Sequence, residues 1–186
     1  MNADTLFREG KDQFVTGHKE ESIEFFTKAA EEGCNPVEVY LSRGAAYLTT
    51  GHYREAEGDF NLVLGIDTDN ERAHYYRGIA RMLLGNHEGA VKDLTASITV
   101  NHERGVSFLA RGIALAELGR EDEAIRDFKT ATVFSNVEVE GFMNLFGTNR
   151  SQFGRSMSLL EGDRGPLKAV LNEEEVNKLT TWLEPT

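Results

Sequence analysis

The 186-residue chain contains a single cysteine, Cys34, which excludes an intramolecular disulfide framework and points to a reducing compartment, read here as the cytoplasm. Basic residues are also in short supply. Twenty Lys and Arg face 31 Asp and Glu, for a formal net charge of −11. Nucleic acid and anionic membrane both call for a basic surface, so neither is expected as a main partner. No apolar run approaches the ~20 residues that a membrane span needs. The stretch from Met1 to Gly10 carries acids and lacks an apolar core region, so it is not read as a secretory signal.

The marks of chemistry are missing too. The histidines are His18, His52, His74, His87 and His102; no two stand at i, i+4 and no cysteine–histidine cluster exists, so no zinc site is expected. No Gly-x-x-x-x-Gly-Lys-Ser/Thr run offers a phosphate cradle, and no local signature arranges a nucleophile. The acid runs Glu31-Glu32 and Glu173-Glu174-Glu175 read as solvated helix surface. The expectation is a protein that is not an enzyme, with no cofactor and no metal.

What the chain does contain is ordinary globular material, 40% apolar and 27% charged, long enough for a sizeable core. Its dominant feature is a repeat. Gly10, Gly44, Gly78 and Gly112 are separated by steps of 34, as are Gly17, Gly51, Gly85 and Gly119. Ser22, Ala56, Ala90 and Ala124 keep the step, and so do Phe26, Phe60, Leu94 and Phe128. Each unit reads as two amphipathic helices around a tight turn. In the third, a helix from about Glu71 to Leu84 is broken by Gly85, and Asn86 caps a second that runs to about Val100. Thr95, Ser97, Ile98, Thr99 and Val100 lean toward strand, but the register overrides that local preference. The first glycine of each unit admits the partner helix closely, the small residue faces it, and the aromatic or leucine fills the space where the pair diverges. A lone hairpin of this kind cannot bury its apolar faces, so units must stack.

Arg77-Gly78-Ile79-Ala80 and Ala124-Ile125-Arg126-Asp127-Phe128, set at this step, resemble the tetratricopeptide repeat. The resemblance covers about Ala3 to Glu138. It implies an all-α, right-handed α-α solenoid of four helical hairpins (about 3–36, 37–70, 71–104 and 105–138), with C-terminal capping and tail helices over 139–186. The first unit departs most, with Glu9 and Gln13 at usually apolar columns and Ser22 for alanine, and Thr68, His102 and Asn136 replace the proline that often ends a unit.

Two further columns pair up. Arg43, Arg77 and Arg111 precede the inner glycine, and Asp59, Asp93 and Asp127 precede the aromatic or leucine. The expected ion pairs are Arg43–Asp59, Arg77–Asp93 and Arg111–Asp127, a structural role favoured over recognition of an anionic ligand. The first unit lacks both members, with Glu9 and Phe25 in their place.

The family implies that the first helix of each hairpin lines a concave side. On those helices one column holds Phe7, Leu41, Tyr75 and Leu109, the next Lys11, Ala45, Ile79 and Ile113, and a third Phe14, Leu48, Met82 and Ala116. Exposed together, such residues would form an apolar interaction wall; the competing reading assigns part of them to the core. The expected groove set is Phe7, Lys11, Phe14, Leu41, Ala45, Leu48, Arg72, Tyr75, Ile79, Met82, Leu109 and Ile113. Family members that grip acidic chaperone C-termini use a polar and basic clamp here. Phe7, Ser42, Tyr76 and Ala110 stand where clamp residues would be, so the expected occupant is a partner's peptide or amphipathic helix. In the tail, Phe142, Leu145, Phe146, Phe153, Met157 and Leu160 suggest capping helices. Pro166 opens a short helix and Asn172 before three glutamates opens another, with Leu167, Val170, Leu171, Val176, Leu179, Trp182 and Leu183 as an apolar stripe. This tail either caps the last repeat or lies in a groove, its own or a neighbour's. The functional alternative to a binding scaffold is thus a self-assembling structural protein, a homo-oligomer joined through end faces or the tail.

Overall fold

The structure, a computed structural model, describes residues 1–134, 142, 152–161, 172–175, 177 and 178. It is all-α, in consecutive helical hairpins. The helices are α1 (Ala3–Val15), α2 (Lys19–Glu31), α3 (Pro36–Thr49), α4 (Tyr53–Ile66), α5 (Glu71–Leu83), α6 (His87–Val100), α7 (Gly105–Glu117), α8 (Glu121–Val133) and α9 (Gly154–Glu161). The chain forms two compact units, Met1–Gly85 with α1 to α5 and Asn86–Thr186 with α6 to α9.

The helix ends follow from side chains. Asn2, Asn70 and Asn86 cap α1, α5 and α6 by accepting from the backbone N–H three residues on, and Asn35 caps α3 at Val37 with Pro36 in the first turn. His18 and His52 precede α2 and α4 without capping them; each ring Nδ1 instead lies within 3.1 Å of a threonine hydroxyl, Thr16 or Thr50. The hairpin turns close on Gly17, Gly51, Gly85 and Gly119, all with φ between 75° and 93°, a conformation that disfavours any side chain. The strand-prone segment of the third repeat is helical throughout α6, where Thr99 returns its hydroxyl to the Thr95 carbonyl.

Inside three of the hairpins, glycine meets an aromatic ring. A Cβ at Gly10 would stand 2.7 Å from the Phe26 ring, at Gly44 2.6 Å from Phe60, and at Gly112 2.6 Å from Phe128. Only a bare backbone fits there, and these rings are in turn fully enclosed. In the first unit α2 packs on α3 and α4 on α5, while α1, α3 and α5 lie side by side. In the second, α7 is covered by α6, α8 and α9, and is buried along nearly its whole length. Phe153, 1% exposed, anchors the start of α9, whose Ser156 N–H donates to the Glu117 carboxylate at 2.9 Å. A carboxylate from α7 thus satisfies a free N–H at the positive end of α9.

Of the tail residues, Asn172 and Glu175 form a reciprocal cap: the Glu175 N–H donates to Asn172 Oδ1 at 3.0 Å and the Asn172 N–H to Glu175 Oε2 at 2.8 Å. Lys178 Nζ donates to the Thr132 carbonyl in the last turn of α8 at 3.2 Å. Phe142 is buried. Leu145, Phe146, Pro166, Leu167, Val170, Leu171, Val176, Leu179, Trp182 and Leu183 lie outside the described residues, as do the side chains of Met157 and Leu160. No helix among the described residues is long and apolar enough to cross a membrane.

Candidate functional site

Two of the repeat-wide ion pairs form within their hairpins. Arg43 Nε and Nη2 donate to the two Asp59 oxygens at 2.8 and 2.7 Å, and Arg111 Nε and Nη2 to Asp127 at 2.7 and 2.8 Å. Asp59 and Asp127 are buried and the arginines largely so. The hydrogen bond to Asp59 raises Arg43 above its ordinary pKa against the opposing pull of burial. A third contact went unseen in the sequence. The remaining nitrogen, Nη1, reaches the preceding repeat: Arg43 to Thr27 Oγ1 at 3.2 Å, Arg77 to Asn61 Oδ1 at 2.8 Å, Arg111 to Thr95 Oγ1 at 3.1 Å. Thr27, Asn61 and Thr95 themselves recur at the 34-residue step, so the signal was present as a column of hydrogen-bonding side chains. The third expected pair has Arg77 on α5 in the first unit and Asp93 on α6 in the second.

These arginines serve the scaffold. A cleft of about 290 Å³ in the first unit is different in character. Its lining comes from Lys11, Phe14 and Val15 of α1, Phe26 of α2, Leu41, Ser42 and Ala45 of α3, and Arg72 and Tyr76 of α5. The first helices of three successive hairpins therefore converge on it. Phe14, Leu41 and Ala45 are half-buried, while Lys11, Val15 and Arg72 are exposed. Lys11 Nζ sits 4.7 Å from the centroid of its own helix's Phe7 ring, and Tyr76 stacks on Phe60 at 5.7 Å. The cleft wall is thus apolar at its base, with a cation from α1 and another from α5.

Five of the twelve groove residues expected from sequence line this cleft: Lys11, Phe14, Leu41, Ala45 and Arg72. The other seven, Phe7, Leu48, Tyr75, Ile79, Met82, Leu109 and Ile113, are interior residues, each no more than 9% exposed, so the expectation of an open wall at those positions is corrected. Phe7 belongs to a core cluster with Leu6, Phe26, Ala29, Val39 and Ala46, and its ring lies 5.7 Å from that of Phe26. Tyr75 tilts against Tyr76 at 5.0 Å. Leu109 and Ile113 are shut in because α7 has helices on several sides. At these columns apolar character reports packing. Conversely, Val15, Phe26, Ser42 and Tyr76 line the cleft without having been in the expected set; Ser42 and Tyr76 follow Leu41 and Tyr75 by one residue, about 100° further round their helices.

A second, smaller cleft of about 180 Å³ in the second unit is lined by Val91, Thr95, Arg111, Leu115, Arg120, Glu123, Arg126 and Asp127. Its charges are largely matched internally: Arg111 is on Asp127, and Arg120 holds Glu123 with two bonds of 2.7 Å, lowering the Glu123 pKa. Among the described residues no group of three or more His, Cys, Asp or Glu could hold a metal ion.

Hairpins at a 34-residue step, three of them packing a glycine against a ring, with α1, α3 and α5 gathered around a cleft, define a helical-repeat protein. The sequence model of the tetratricopeptide repeat matches residues 37–70, most of α3 and all of α4. The chain thus carries a tetratricopeptide repeat within an all-α fold of consecutive hairpins consistent with a solenoid of such repeats. Solved structures of MamA are similar to it. One is 23% identical with a TM-score of 0.65, over 70% of this chain and 76% of that one. A second is 24% identical with a TM-score of 0.66, over 70% and 71%. MamA residues 41 to the end from Desulfovibrio magneticus RS-1 is 17% identical with a TM-score of 0.67, over 70% and 73%. At these identities the likeness speaks for the fold alone.

Proposed function

We propose that the chain is a non-catalytic protein-interaction module that receives a partner's peptide or amphipathic helix in the cleft of its first unit. The observation that carries this reading is the lining: Phe14, Leu41 and Ala45 leave apolar surface at the base of an open cleft built from three separate helices. A mostly apolar concave site with a few placed polar groups is the usual form of a recognition site. The first helices of the hairpins supply a ridge-and-groove surface of the kind that a helix fills with residues at i, i+3, i+4 and i+7. Neither cleft brings together a nucleophile with a base and a group to orient it, the arrangement that catalysis by side chains needs.

The test is selection of a displayed peptide library on the purified full-length chain, with an Ala45→Trp variant whose indole would occupy the cleft. Helical melting by circular dichroism checks that the variant is folded. The expected result is a family of peptides with helical apolar spacing that bind the wild type and are lost by Ala45→Trp. Peptides retained in full by the variant would place the interaction elsewhere and defeat the reading.

A further inference from the structure

The first-unit cleft sets two cations beside apolar surface in a strongly acidic chain. Acids outnumber bases by 31 to 20, and several arginines elsewhere are neutralised. Arg43 and Arg111 hold buried aspartates, Arg81 binds Glu57 at 2.7 Å, and Arg120 binds Glu123 at 2.7 Å. Even the three arginines of the second-unit cleft share their space with Glu123 and Asp127. Lys11 and Arg72 are different. Both line the apolar cleft, both are exposed, and neither makes an ion pair among the described residues. The Lys11 ammonium lies over the face of Phe7, which holds it above an apolar surface. Ser42 and Tyr76 bring hydroxyl groups to the same lining. In a chain of net charge −11, two unmatched cations flanking an apolar base form a local complement to negative charge.

We propose that this cleft selects an acidic amphipathic helix of a partner protein, whose apolar residues pack on Phe14, Leu41 and Ala45 while a glutamate or aspartate side chain within the helix is held between Lys11 and Arg72. This rests on the cleft being the docking site and adds the chemistry of the partner. The anion is an internal side chain: Phe7, Ser42, Tyr76 and Ala110 replace the polar and basic positions by which a free C-terminal carboxylate would be gripped. A helix with acids on one flank and apolar residues on the other meets both features at once. The overall negative charge of the chain then works against acidic segments that lack the apolar stripe, so both parts of the pattern are required.

The experiment uses peptides selected on the full-length chain and resynthesised with amidated C-termini. Binding is followed by fluorescence anisotropy to wild type, Lys11→Met, Arg72→Met, the double variant Lys11→Glu/Arg72→Glu, and Ala45→Trp. Selected peptides should carry an acid at a fixed helical spacing from their apolar residues and bind as amides as well as free acids. Each Met variant should weaken binding by about tenfold, roughly the value of one charge-assisted contact. Changing the peptide's acid to glutamine should cost the wild type a similar factor and should strengthen binding to the double variant, whose glutamates repel the acid. Binding unchanged in the Met and double variants but lost in Ala45→Trp would leave the cleft as the docking site and overturn its acidic preference. Binding indifferent to all of them would remove the docking site as well. Loss on amidation alone would identify a terminal carboxylate as the anion and overturn the proposal.

Discussion

Arg43 has every side of its guanidinium engaged: Nε and Nη2 on Asp59, Nη1 on Thr27, and the rings of Tyr40 and Tyr47 at 5.4 and 5.9 Å. Such a group is a poor candidate for recognising a ligand, since binding would have to undo contacts already made. Its raised pKa has a simple consequence for pH. A cation whose folded pKa lies above the unfolded value contributes fully below the unfolded value and loses that contribution only as pH rises through the folded one, so alkaline buffers in ordinary use leave the pair intact. Asp59→Ala is expected to destabilise the protein by about 3 kcal/mol, because it strands a largely buried charge. Thr27→Ala, which removes one hydrogen bond from the same arginine while the aspartate remains, is expected to cost about 1 kcal/mol or less. Urea unfolding of the two variants checks the order. An Arg43→Ala/Asp59→Ala double variant should lose less than the sum of the single losses. Arg120→Ala should be close to neutral, since its pair with Glu123 stands in solvent on both sides.

The hairpin is the element at which sequence and structure agree most closely. Gly44 lets α3 approach the Phe60 ring on α4, where a methyl group would lie 2.6 Å from a ring carbon. Gly44→Ala should therefore cost about 1–3 kcal/mol through overpacking, measured as a lower urea midpoint. Phe60→Leu, which removes the atoms in the way, should make the same alanine nearly harmless in the double variant. At the turn, Gly51→Ala should cost about 1 kcal/mol for a different reason: at φ 80° nothing crowds the new methyl, but the backbone itself disfavours it. These positions were legible because each has a physical requirement that only one or two residue types meet, and the requirement returns every 34 residues. The cleft was only partly legible. A helix in a repeat protein has an apolar stripe wider than the contact it makes with any one neighbour, so Leu41 and Tyr75 look alike in sequence although one borders an opening and the other is enclosed. What separates them is how adjacent helices cross and what covers α7, and neither is written in one chain's apolar pattern. Lys11 could be read because a charge on an apolar column has few places to go, and Arg72 because it is a basic residue on a first helix where the family places its clamp. Val15 could not, since an exposed valine at a helix end carries no distinguishing pattern.

At the scale of the whole chain, repeat proteins derive stability from each unit and its nearest neighbours, so a lesion should be felt locally before it is felt globally. Two compact units, Met1–Gly85 and Asn86–Thr186, contain the same glycine-to-ring contact, Gly44 on Phe60 in the first and Gly112 on Phe128 in the second. The two alanine substitutions are therefore chemically matched and differ only in location. By hydrogen–deuterium exchange, Gly44→Ala should raise exchange through α1 to α5 more than through α6 to α8, and Gly112→Ala should do the reverse. The second case carries the sharper expectation, because α7 is enclosed by α6, α8 and α9 and has little room to relax around a displaced Phe128. Its loss should release the amides of α9 as well, including that of Ser156, which is held by Glu117. Equal loss of protection across both units in either variant would show a single cooperative block and reject the local picture. The cleft makes this more than a question of stability. Its lining lies wholly within α1, α2, α3 and α5, so Gly112→Ala should leave peptide affinity unchanged at temperatures where Gly44→Ala already reduces it, and anisotropy measured on the two variants side by side would separate damage to the site from damage to the rest of the chain.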